Sequence, residues 1–454
     1  MARRSGQWLA ASMDSPTPVL RRIFHAFLTV AGATLAVKGL ALLKDLAVAH
    51  RLGVSDALDA FLIAFLLPSL LAVLVGRAAG NAALPVLMAV RGQAGEVVAR
   101  RLAGAVLLLG GVLLGLVALL LGLGFRQLLP WLASGFPPSK QALTAELLWI
   151  LLPSLWFGGM SHLTGLLLNA RERFALVALA PGLTPALALL ALLVWRGGAE
   201  VWLLAWATSL GCALEWLLLL GVSLRRRLLG WPDWGESALL RRIGGQFGPL
   251  LASNGLVSGT GLVDQVMAAW LVAGSVAALN YGNKLPLLFT TLGSMALGTA
   301  LLPHFSAMVA AADWTGLRHT ARRVMVLSWL ATLPLTLVLW LASEPLVALL
   351  FQRGEFDAQA VPVVTLTQQL YLLQLPFFFA AMVLNRVVAA CGGGGVLASN
   401  ALLGLVLNAL LNWLLMARLG VAGIALSTSL ASAVGCGYLA WRLEPLLRAR
   451  MAED

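Results

Sequence analysis

Along this chain, apolar runs of about 20 residues alternate with short polar breaks, the length a helix needs to cross a bilayer core. Twelve runs stand out, near residues 23–44, 57–82, 102–125, 143–168, 174–195, 201–223, 245–271, 277–303, 323–345, 362–390, 396–417 and 420–441. The pattern predicts an all-α integral membrane protein with about twelve transmembrane helices. The longest internal polar break, residues 224–244, divides them six and six. We therefore expect a basic tail (1–22), an N-terminal six-helix lobe (23–223), a basic interfacial linker (224–244), a C-terminal six-helix lobe (245–443) and a short tail (444–454).

The halves repeat each other. Pro68 and Pro286, Pro85 and Pro303, and Gly80 and Gly298 are each 218 residues apart, while Asp45 and Asp264 are offset by 219. Six crossings return a chain to its starting side, so the two halves share one orientation. Parallel repeats of this kind build two pseudo-symmetric lobes around a central cavity, with the substrate path between them.

Composition agrees with a membrane protein: 60% of residues are hydrophobic and 11% charged, which excludes an ordinary soluble globule. A net charge of +12 raises the question of nucleic acid. The basic residues instead gather in the short breaks, and no nucleic-acid-binding pattern accompanies them. With the N-terminus inside, 21 of the 31 lysines and arginines fall on the inner side and six on the outer. That bias orients both termini to the cytoplasm. Residues 224–244 hold five arginines with Trp231 and Trp234, a composition suited to lying on anionic lipid. Arg3-Arg4 and Arg21-Arg22 precede an apolar run with no small-residue cleavage site, so the tail reads as uncleaved and cytoplasmic. Cys212, Cys391 and Cys436 sit at no metal-ligand spacing and read as small buried thiols.

The candidate chemistry concentrates in residues 36–85, where two apolar helices carry Lys38, Lys44, Asp45, Asp59 and Arg77. An ionised side chain in the bilayer centre costs roughly 2.5–3.5 kcal/mol on insertion scales, so such groups face a bundle interior or an aqueous cavity. Lys38 and Asp45 are seven apart and share a helix face; Asp59 and Arg77, five turns apart, do so too. Lys284, just before Pro286, brings positive charge from the second half. A cavity lined this way suits an anionic substrate, phosphate above all. Snorkelling to the interfaces, or pairing with one another, would also accommodate Lys44, Asp45 and Arg77.

A second polar set lies in the C-terminal half. Asp264 is alone in the seventh run, Asn408 and Asn412 share a face of the eleventh, and Ser427, Thr428 and Ser429 interrupt the twelfth. One carboxylate with neutral oxygens makes a candidate sodium site; interhelical hydrogen bonding would use the same groups. No Ser-His-Asp order, HExxH or phosphate-cradling loop is present, and residues 392–395 read as a glycine turn. We expect no enzyme and no cofactor beyond a coupling Na+ or H+.

The stretch VKGLALLKDLAVAHRLGVSDALDAFLIAFLLPSLL resembles the first-helix-pair signature of the MurJ/MviN lipid II flippases, in the multidrug/oligosaccharidyl-lipid/polysaccharide exporter superfamily. The segments VDQVMAAWLVAGSVAALNYGNKLPLLFTTLGSMALGTALLPHFS, LFQRGEFD and LGVAGIALSTSLAS extend the resemblance, in order, over residues 35–440. It implies two lobes around a V-shaped cationic cavity. The implied activity is movement of an undecaprenyl-pyrophosphate-linked saccharide from the inner to the outer leaflet of a bacterial inner membrane, by alternating access. Its partners would be that lipid-linked glycan and membrane lipids, with the protein acting as a monomer. By similarity, Lys38, Lys44 and Lys284 stand where the family has essential arginines that handle pyrophosphate, and Asp45 and Asp59 match acidic positions. Asp264, Asn408, Asn412 and Thr428 fall on a sodium site that some members carry.

The sequence also departs from that pattern. Lysines replace three arginines, Ala72-Val73 stands where an arginine follows LLPSLL, and Arg77 occupies an acidic position. Twelve crossings, where lipid II flippases usually have two more, suit an exopolysaccharide or O-antigen repeat-unit flippase of the same superfamily. A cation-coupled multidrug antiporter would need a net-negative cavity instead. A membrane-embedded glycan enzyme would need a catalytic carboxylate at a membrane face, for which Asp59 alone stands near the right place.

Overall fold

The computed structural model describes residues 18–195, 197–232 and 237–453. Residues 1–17 of the basic tail, and Trp234 of the linker, lie outside the described residues. The first lobe comprises α1 (Pro18–Leu52), α2 (Asp56–Gln93), α3 (Glu96–Leu132), α4 (Pro138–Asn169), α5 (Phe174–Leu179), α6 (Leu183–Val194) and α7 (Glu200–Arg225). The second comprises α8 (Ser237–Ala268), α9 (Ser275–Gly282), α10 (Lys284–Ala310), α11 (Trp314–Leu341), α12 (Ser343–Phe351), α13 (Ala360–Leu372), α14 (Gln374–Ala390), α15 (Gly394–Leu419) and α16 (Val421–Glu453).

Each apolar run lies on a helical crossing. The fifth, eighth and tenth crossings are each made of two helices, broken at Ala180–Gly182, Asn283 and Leu373. Among the described residues, nine crossings are long and apolar enough to span a membrane. The other three are α1, α8 and α9–α10, which carry Lys38, Lys44, Asp45, Asp264 and Lys284. Several helices outrun their apolar runs: α8 begins at Ser237 and so takes up Arg241 and Arg242 from the expected linker. Hydropathy marks the hydrocarbon boundary, whereas backbone hydrogen bonding and good helix formers such as arginine continue beyond it.

Burial follows the bilayer as solvent. On α3, Leu116, Leu119, Leu120 and Leu123 face outward, which costs nothing against lipid tails. With no hydrophobic drive between helices, close packing falls to small residues. A Cβ added at Gly76 of α2 would lie 2.7 Å from the Gly159 carbonyl oxygen of α4, so these two helices meet backbone to backbone.

The lobes join where α2 packs on α8 and α9, and where α12 touches α1. One end of the cleft is closed. There the Glu355 N–H donates to the His50 carbonyl at 3.0 Å, the Trp270 indole N–H to the Trp131 carbonyl at 3.0 Å, and the Tyr281 hydroxyl to the Gly53 carbonyl at 3.3 Å. Gly53 adopts φ +55°, and a Cβ there would lie 2.2 Å from the Glu355 carbonyl oxygen. Only glycine permits both the turn and the approach.

Candidate functional site

Behind the closed end lies a cavity of about 490 Å3 between the lobes. Four charged side chains cluster on its wall, Lys38, Lys44 and Asp45 from α1 and Lys284 at the start of α10, with a fifth, Glu215 of α7, apart from them. The break after α9 positions Lys284, because a new helix begins there beside Pro286. Asp45 is the hub. Lys44 Nζ lies 2.5 Å from one of its carboxylate oxygens and Lys284 Nζ 2.8 Å from the other. Each lobe thus contributes an ammonium to one carboxylate that is itself only 8% exposed. Three cations against one anion leave the cluster net positive. A second cavity, about 450 Å3, reaches the same four residues from the side of α10, α12 and α13, so the cluster is approachable from both sides of α1.

Asp59 is not on the cavity wall. At 1% exposure it sits in the closed end, where it accepts from Lys140 Nζ at 2.8 Å and from the backbone N–H groups of Gly274 and Ala277 at 2.7 and 2.8 Å. Those amides belong to the first turn of α9, in the other lobe, so Asp59 caps a helix across the lobe boundary. Local sequence places it there: Ser55 caps α2, accepting from the Leu58 N–H at 3.3 Å, which sets Asp56 and Asp59 in the first turn. Gly274 holds φ +83°, with any Cβ 2.6 Å from Val54 Cγ1.

Lys140 stands at this closed end too. One of the six outer charges, it is not solvated: it is 5% exposed, bonded to Asp56 at 2.6 Å and to Asp59, and lies 3.9 Å from the centroid of the Phe136 ring. The signal was available: it is the sole lysine of the outer connections and faces two aspartates spaced i, i+3.

Arg77 also departs from the central cluster. It lies further along α2, in a side chamber of about 300 Å3 shared with Asn81, His162 and Glu215. Glu215 and His162 face the central cavity as well. Glu215, an acid inside the sixth apolar run, was missed although the rule that flagged Lys284 applies to it equally.

In the second lobe the structure gathers the expected polar set. Asn412 Nδ2 donates to Asp264 at 2.7 Å, Thr428 Oγ1 donates to its other oxygen at 3.0 Å, and Asn408 Nδ2 donates to Thr428 Oγ1 at 3.3 Å. Ser427, which donates to the Asn412 side-chain carbonyl, completes the group. Asn408 and Asn412 are fully buried. One carboxylate ringed by amide and hydroxyl oxygens fits a monovalent hard cation, with rotation of the Asn412 amide exchanging a donor for an oxygen ligand. Among the described residues, no cluster of three or more His, Cys, Asp or Glu side chains makes a metal site.

Two lobes of six crossings each, clasping a cationic cavity closed at one end, define a multi-pass membrane transporter. The sequence pattern of the family described as Lipid II flippase MurJ matches residues 48–452, and the chain belongs to that family. A protein of Synechocystis sp. described as a probable lipid II flippase MurJ is 29% identical over 419 residues, covering 88% of this chain and 77% of that one. The lipid II flippase MurJ of Burkholderia cenocepacia is 28% identical over 436 residues, with coverages of 89% and 80%. Among solved structures, a lipid II flippase MurJ in an inward closed conformation superposes with a TM-score of 0.79 at 19% identity, over 94% of this chain and 90% of that one. An inward-facing multidrug resistance MATE family transporter reaches 0.73 at 16% identity, over 92% and 98%. These last two likenesses concern the fold.

Proposed function

We propose that this chain moves lipid II, or a close undecaprenyl-pyrophosphate-linked relative, from the inner to the outer leaflet of a bacterial inner membrane. The observation that carries this reading is the meeting of Lys44 and Lys284, one from each lobe, on Asp45 in the cavity wall. Pyrophosphate presents more negative charge than one carboxylate and competes with Asp45 for both ammoniums. Lysines hold it as point charges, without the bidentate fork of arginine, and adapt as the lobes turn. Lys38, on the same wall, adds the third charge.

By the positive-inside bias the closed end faces outward and both termini lie in the cytoplasm. The cavity then receives the headgroup from the inner leaflet while the lipid tail stays in the membrane. Drawing Lys44 and Lys284 onto one substrate pulls the lobes together at the cluster, and the Asp59–α9 cap has to part for release outside. Asp264, Asn408, Asn412 and Thr428 would hold a coupling sodium ion, which supplies the charge that neutralises Asp264 and ties α8 to α15 and α16. Alternatively a proton on Asp264 serves the coupling. Both lobes of the cavity come from one chain, so a monomer suffices to form it. The net positive cluster speaks against a carrier of cationic drugs.

The test is complementation of a conditional lipid II flippase mutant by the parent chain, Lys38→Ala and Lys284→Ala. Rescue by the parent and loss in both variants is expected. Failure of a well-expressed parent would move the assignment to an exopolysaccharide or O-antigen unit, and rescue by both variants would remove the cationic cluster from the mechanism.

A further inference from the structure

The side chamber of the first lobe is not needed to hold a pyrophosphate, and its chemistry differs from that of the lysine cluster. Three helices each send a polar stripe down to it. On α2 the cavity-facing positions Ser69, Val73, Arg77 and Asn81 follow one another at i, i+4. On α4 Ser154, Gly158 and His162 do the same, and on α7 Thr208, Cys212 and Glu215 follow at i, i+4, i+7. From Ser69 to Asn81 the α2 stripe runs about 18 Å. Because His162 and Glu215 line both spaces, the chamber is a continuation of the central cavity.

The charges differ in kind. Around Asp45 three cations meet one anion. In the chamber one guanidinium and one carboxylate, Arg77 and Glu215, face the same space without forming an ion pair with each other. Arg77 is exposed within this space and Glu215 half-buried, so each turns its charge to the chamber, where a ligand can meet it in place of water. The walls are also fixed: Gly76 abuts the Gly159 backbone, and a Cβ at Gly211 of α7 would lie 2.5 Å from Thr184 Cα of α6. Such backbone-to-backbone contacts pre-organise the side chains they carry.

We infer that the chamber is a second subsite, separate from the pyrophosphate cluster, that binds a headgroup bearing both carboxylate and amino groups: Arg77 and His162 take the carboxylate, and Glu215 takes the ammonium. It selects a peptide-bearing amino-sugar headgroup over a neutral glycan. This inference rests on the lipid-pyrophosphate reading above.

The experiment measures affinities of the purified full chain, in lipid nanodiscs, for three probes: lipid II, its peptide-free disaccharide analogue with the sugar's carboxyl group capped as a neutral amide, and undecaprenyl pyrophosphate. Glu215→Gln and Arg77→Gln should each weaken lipid II about tenfold, the loss of one charge-assisted contact, and leave the other two probes unchanged. Lys284→Ala should weaken all three. Equal losses for all probes in the chamber variants, losses for both glycan probes alike, or no loss at all would each overturn the subsite. The unchanged undecaprenyl pyrophosphate affinity serves as the control for folding. A Lys284→Ala variant that binds every probe like the parent would instead overturn the pyrophosphate reading, while the lipid II arm of the chamber variants still reports on the subsite.

Discussion

The Asp59 carboxylate accepts the Ala277 backbone N–H at 2.8 Å across the lobe boundary, 218 residues away in sequence. A buried carboxylate with three donors is a strong bond only while both lobes stay in place. Asp59→Ala orphans two amides of α9 and leaves Lys140 with Asp56 alone. Loss of such buried partners costs about 2 kcal/mol, roughly a thirtyfold shift towards the state open at this end. The check is labelling of Ser69→Cys, behind the seal, by an impermeant thiol reagent from outside, with the three native cysteines replaced. The rate should rise by about that factor; an unchanged rate would show that the cap does not govern the closed end.

Lys140 and Asp59 should behave as a coupled pair. Lys140→Met strands Asp59, and Asp59→Asn strands part of the charge of Lys140, so each alone destabilises the closed end. Together they remove the charge mismatch, and the double variant should be less impaired than the sum by about 1–3 kcal/mol. Additive effects in the same labelling assay would mean that Asp56 carries the lysine by itself.

Asp45 holds two ammoniums that the proposed substrate also uses. Asp45→Asn should tighten binding of undecaprenyl pyrophosphate, because nothing competes for Lys44 and Lys284, yet slow turnover, because the ligand leaves less readily and the two cations repel when it has gone. Binding and flipping are measured separately on one preparation. Weaker binding in Asp45→Asn would make Asp45 a positioning residue for the lysines.

The second-lobe cluster predicts selective stabilisation by sodium. A ligand that binds only the folded state adds about 2.7 kcal/mol at a hundredfold excess over its Kd. Sodium, but not choline at equal ionic strength, should raise the melting temperature of the parent, and Asp264→Asn and Asn412→Leu should abolish the difference. A parent indifferent to sodium would assign the cluster to hydrogen bonding or to proton coupling.

The sequence pattern revealed much of this molecule, unevenly. Crossings, lobes and the charged quartet were legible because a bilayer penalises every buried charge, so Lys38, Lys44, Asp45 and Lys284 stand out against leucine and alanine. The polar set around Asp264 was legible for the same reason, and the structure brings it together. Asp59 was flagged but not placed: its partners are backbone amides of Gly274 and Ala277, which carry no side-chain signature. Lys140 escaped because a charge count treats every loop lysine as solvated, and Glu215 because the apolar run around it read as complete.

What the sequence by itself determined is therefore the element inventory and the presence of charged residues within the apolar crossings. Both follow from the free energy of transferring each residue into hydrocarbon, a property local to the residue. Which cations meet on Asp45, that Asp59 seals one end, and that Arg77 and Glu215 share a chamber apart from the lysines were decided only by the tertiary structure. The first two depend on how the lobes dock, with close approaches at Gly53 and Gly274, and the third on packing within the first lobe, where Gly76 meets the Gly159 backbone; no hydropathy pattern encodes these contacts.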